Sequence, residues 1–86
     1  MKTYIQEVDG FKVETMYFCK EDYQGSLLAE DKATWFAAGL NFNSSDKKWK
    51  VVCTYQGHVL LVALFPDMPI EILRKLREIE PRFDNP

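Results

Sequence analysis

Residues Trp49 to Phe65 read WKVVCTYQGHVLLVALF. Two strand-like runs flank Gln56-Gly57, and the second, Val59 to Phe65, is apolar without a break. A strand with one wet face alternates polar and apolar residues, so an unbroken run reads as a strand greasy on both faces, in the interior of a sheet. With Gln56-Gly57 as a two-residue hairpin loop, Tyr55/His58, Cys53/Leu60, Val51/Val62 and Trp49/Leu64 share one side, the expected core. Thr54/Val59, Val52/Leu61, Lys50/Ala63 and Lys48/Phe65 share the other, with an apolar centre of Val52, Val59, Leu61 and Phe65.

Working back toward the start, Lys2 to Val8 (KTYIQEV) and Phe11 to Cys19 (FKVETMYFC) read as a second hairpin around Asp9-Gly10, a pair suited to the positive backbone angles of a tight turn. This register puts Tyr4, Val8, Phe11, Val13 and Tyr17 on one side. Glu7 opposite Lys12, and Ile5 opposite Glu14, fall on the other. One face is apolar and one largely wet.

Two helices are expected. Ser26 to Ala38 carries Ala29, Ala33, Phe36, Ala37 and Leu40 at helical spacing, with Ser26 as N-cap, Glu30 and Asp31 near the positive end and Gly39 as the stop. A strand over 34–42 is the alternative. Ile70 to Glu80 is amphipathic, with Ile72, Leu73, Leu76, Ile79 and Phe83 on its buried stripe. Asp67 and Pro69 favour its start, Pro81 ends it, and Glu71/Lys75 and Arg74/Glu78 are spaced for pairing on its wet side.

The expected fold is therefore α+β: a two-layer ββαββα domain, a four-stranded antiparallel sheet of two hairpins with two helices. Gly10 aligns with Gly57 and Phe18 with Phe65, which suggests a pseudo-repeat. Such a sheet is about 15–20 Å wide, and two helices of ~10 Å diameter cover one face of it. Val52, Val59, Leu61, Ala63 and Phe65 would then face solvent, at a cost of roughly 1.5–3 kcal/mol per large side chain. Three arrangements relieve this: the helices split between the faces, two copies pack sheet on sheet, or another protein docks. A one-residue slip of register would exchange the faces.

Eighty-six residues make one domain, and a 47% hydrophobic, 28% charged composition argues against disorder. The net charge of −2 names no partner; acids are in excess before residue 47 and bases after it. Two cysteines, Cys19 and Cys53, are too few for a secreted disulfide framework. No charged-then-apolar leader opens the sequence, and no apolar run approaches the ~20 residues that span a bilayer. A reduced, intracellular (cytoplasmic) setting without a membrane is expected, with both cysteines as small core residues.

Chemistry is sparse. His58 is the sole histidine, in a turn with Tyr55 opposite. Cys19, Cys53 and His58 match no zinc spacing, the four glycines form no phosphate loop, and Glu21/Asp22 and Glu30/Asp31 read as helix-terminal charges. No cofactor, metal or catalytic set is expected. The leading expectation is a non-enzymatic protein-binding domain, an adaptor or inhibitor of the kind found among viral and mobile-element accessory proteins, or a homodimer. Trp35, Tyr23, Val52, Val59, Leu61 and Phe65 are the candidate contacts, since large apolar side chains at the centre of a patch carry most interface energy. The alternative is nucleic-acid binding through Lys47, Lys48, Lys50, Arg74, Lys75 and Arg77, which the negative net charge opposes.

Overall fold

A computed structural model describes residues 3–44 and 46–78. The elements run β1 (Thr3–Val8), β2 (Phe11–Phe18), a short 3-10 turn (Lys20–Tyr23), α1 (Ser26–Phe42), β3 (Lys48–Cys53), β4 (Val59–Leu64) and α2 (Glu71–Glu78). This is an α+β fold of order ββαββα, with one antiparallel sheet built from the hairpins β1-β2 and β3-β4. Strand order is β1-β2-β4-β3, so the hairpins join through their second strands.

The first hairpin has the expected register, Val8 opposite Phe11 through Thr3 opposite Met16. Asp9 and Gly10 turn it with φ of 51° and 82°, the positive pair that a two-residue turn requires. The second hairpin is one residue out of the expected register. Cys53 faces Val59, Val52 faces Leu60 and Trp49 faces Ala63. Thr54 also pairs across to His58, its N–H donating to the His58 carbonyl at 2.9 Å, so the loop holds three residues, Tyr55 to Gly57. Gly57 takes φ 90° at the last of these, the left-handed position that a three-residue loop assigns to glycine. His58 therefore lies opposite Thr54, not Tyr55.

That slip re-sorts every β3 side chain. Every residue of β4 is buried, but the two sides of the strand meet different helices. Val59, Leu61 and Ala63 pack with Phe18, Trp49 and the α1 alanines Ala29, Ala33 and Ala37. Leu60, Val62 and Leu64 pack with Val8, Val13, Val52 and the α2 residues Ile72 and Leu76. The helices thus sit on opposite faces, and the expected two-layer arrangement is corrected to helix, sheet, helix. The cause is the fully apolar β4, which needs cover on both sides. This placement also removes symmetry from the suggested pseudo-repeat: a two-fold normal to the sheet between β2 and β4 would put both helices on one face.

The first helix is longer than its spacing predicted. It starts behind Gly25, whose φ of 126° is open to glycine and strained for other residues, so Ser26 is the first helical residue and not the cap. It runs through Gly39 to Phe42, which also excludes the strand alternative for 34–42. Asn41 closes it onto the sheet edge: its side-chain amide donates to the Trp49 carbonyl at 3.1 Å, while the Trp49 N–H donates to its Oδ1 at 2.7 Å. One helix side chain thereby satisfies an edge-strand peptide on both sides. In α2, Ile72 and Leu76 are buried as expected, while Lys75 pairs with Asp9 of the first turn. The expectations for Ile79, Glu80, Pro81, Arg82 and Phe83 lie outside the described residues.

Candidate functional site

With a helix on each face of the sheet, most of the large apolar side chains left exposed among the described residues belong to α1; Ile5, Tyr55 and Ile70 are scattered elsewhere. Ala29, Ala33 and Ala37 form its buried stripe, small enough for the helix to lie close on the sheet. On the opposite side Leu28, Trp35 and Phe42 stand in line at seven-residue spacing, 51%, 77% and 89% exposed. Two turns of a 3.6-residue helix bring residues seven apart to nearly the same direction. The helix is therefore apolar on both sides, the pattern of an element buried on both. Leu27 is also exposed, on the adjoining flank.

Between these large side chains lie Ala38 and Gly39. A groove of about 500 Å³ runs here, lined by Lys32, Trp35, Phe36, Gly39 and Leu40. A side chain built at Gly39 would meet nothing within 4 Å. Phe36 holds the inner wall, edge-on to Phe18 with ring centroids 5.5 Å apart. The ridge is thus anchored to the core through Phe36 and open above it.

The six expected protein contacts do not converge. Trp35 is on the ridge. Tyr23 stacks at a tilt on Phe18, 5.9 Å between centroids, and is half-buried. Val59 and Leu61 are buried beneath α1, and Val52 is buried on the α2 side. These three are corrected from surface to core, because the one-residue slip and the divided helices shelter both faces. Phe65 is half-buried with the Lys47 ammonium 5.8 Å from its ring centre. Leu28 and Phe42 were missed; their seven-residue spacing from Trp35 was the available signal, hidden while residues beyond Gly39 were read as loop.

The expected nucleic-acid set is also divided. Lys47 bonds Glu14 at 3.1 Å and lies 5.1 Å from the Trp49 ring centre. Lys75 is paired with Asp9. Arg77 donates to the Cys53 carbonyl at 3.2 Å and stacks on Tyr55 at 5.0 Å, tying α2 to the second hairpin loop. Lys48 and Lys50 border a groove of about 380 Å³ with Leu64, Phe65 and Met68. On an edge strand, such lysines also discourage pairing with another sheet.

The titratable groups sit in local pairs. Cys19 and Cys53 are half-buried rather than core. Each thiol points at a carboxylate: Cys19 donates to Glu21 at 2.9 Å and Cys53 to Glu30 at 3.4 Å. Burial, then Glu30, pushes the Cys53 thiol up, away from the reactive thiolate. The Glu21 carboxyl is held low, first by the Cys19 thiol. The Tyr17 phenol is pushed up to about 12, chiefly by burial and next by its hydrogen bond with Cys19. His58 is not a plain exposed turn residue; its ring meets Tyr17 edge-on, with Nδ1 3.4 Å from the phenol oxygen. Among the described residues no group of three or more His, Cys, Asp or Glu is placed to hold a metal ion. None of the helices described is long and apolar enough to cross a membrane. Compared with known proteins, the chain matches no family model, no curated protein and no solved structure.

Proposed function

We propose that this protein is a protein-binding domain, an adaptor or inhibitor in kind, whose working surface is the outward ridge of α1. The observation that carries the reading is the alignment of Leu28, Trp35 and Phe42 on the helix side opposite the buried alanines. Burying such a side chain is worth roughly 1.5–3 kcal/mol, so three held out in line is a standing cost that a partner removes. Tryptophan, at the centre of the row, is also among the residue types that interface hot spots favour. The engagement of Lys47, Lys75 and Arg77 within the fold weighs against the nucleic-acid alternative.

A photo-crosslinking amino acid at position 32, beside Trp35 in the groove, tests the reading in the cells that make the protein. A discrete adduct that disappears with Trp35→Ala is the expected result. No adduct, or one indifferent to Trp35, overturns it.

A further inference from the structure

Resting on that reading, we propose that the occupant of the ridge is a second copy of this chain, docked antiparallel through α1 with the two Trp35 side chains meeting at the two-fold axis. The ridge is self-complementary in this orientation. Leu28 and Phe42 are equidistant from Trp35 along the helix, so a two-fold at Trp35 sets each Leu28 beside the Phe42 of the other copy. The same operation lays Asp31 across Ala38 and Lys32 across Gly39. All four are exposed on the ridge flanks. The long side chains then cross small ones, and their charged ends reach water at the rim.

Size agrees as well. Trp35, Phe42, Phe36 and Leu28 together offer on the order of 600 Å² per copy, at about 150–250 Å² for a fully buried aromatic. A standard interface takes roughly 800 Å² per partner, so a modest rim completes it. Approach is open at the groove: α1 lies on the outside of its sheet face, and a side chain built at Gly39 meets nothing within 4 Å.

Sedimentation velocity of the full chain over a range of concentrations tests this. The expected result is a monomer–dimer equilibrium that Trp35→Ala weakens by at least about tenfold. Ala38→Glu, which faces Asp31 of the other copy, weakens it too, and Asp31→Lys added to Ala38→Glu restores it by placing opposite charges across the seam. Circular dichroism of each variant separates loss of pairing from loss of fold. A chain that stays monomeric throughout, a dimer indifferent to Trp35→Ala, or a charge swap that fails to restore the dimer each overturns the inference. The crosslink at position 32 then separates the two levels. An adduct of other than twice the chain mass leaves the ridge a docking surface for a different protein; no adduct removes both.

Discussion

Ala33 and Trp35 sit two residues apart on α1 and face opposite ways: Ala33 has no exposed surface, while Trp35 is 77% exposed. A helix needs one apolar side to pack on a sheet, and this one has two. The buried side uses the smallest apolar residue, and the open side displays the largest.

Their mutational costs should differ in the same sense. At concentrations where the chain is monomeric, Trp35→Ala should change stability by no more than about 0.5 kcal/mol, as for a surface site. Ala33→Leu should cost about 1–3 kcal/mol, because added methylenes must force the helix off the sheet. Urea denaturation of both variants checks the contrast.

The central strand should be intolerant on both faces. Leu60 packs toward α2 and Leu61 toward α1, and neither has exposed surface. Truncating either to alanine should cost about 2–5 kcal/mol. A near-neutral result at one of them in a denaturant titration would mean that one face is uncovered.

Much of this fold is legible in the sequence. The unbroken run Val59 to Phe65 located the interior strand, and Asp9-Gly10 set the first hairpin. The second hairpin's register was less legible, because Gln56-Gly57 fits a two-residue loop as well as the end of a three-residue one. Only the Thr54–His58 pairing decides between them. Gly39 suggested a helix end, yet its helical neighbours and the Asn41 bonds to Trp49 carry the helix past it. Losing those last residues hid Phe42, and with it the ridge. The surplus of apolar surface expected on the sheet is not there: Val52, Val59, Leu61 and Ala63 are covered, since strand alternation does not say on which face a helix will land.

Asn41 should be a structural residue. Replacing it with alanine removes both bonds to the Trp49 peptide. A loss of about 1–2 kcal/mol is expected, together with faster amide exchange at Trp49 that NMR would report.

Alkaline conditions should weaken the fold through Tyr17. Its phenol is raised from 10.0 to about 12 in the folded chain. The folded state keeps a proton that the unfolded state gives up, so this contribution is complete below pH 10 and is lost as pH rises toward 12. Thermal melts across this range should fall less steeply for Tyr17→Phe than for the unaltered chain.

Cys53 should be a slow nucleophile. Burial and the Glu30 carboxylate both keep its proton on. Glu30→Gln should speed alkylation by iodoacetamide at mildly alkaline pH, since the thiolate becomes easier to form. An unchanged rate by mass spectrometry would show that burial alone sets the reactivity.

The proposed function requires the outward side of α1 to be covered when the protein works. Acrylamide quenching of tryptophan fluorescence reports on this directly, because Trp49 is buried and Trp35 is the exposed indole. Raising the chain from about 1 µM to about 1 mM, the range over which a modest interface fills, should protect Trp35 and shift its emission to the blue. A Trp35 signal that stays equally quenchable at both ends contradicts pairing through this helix.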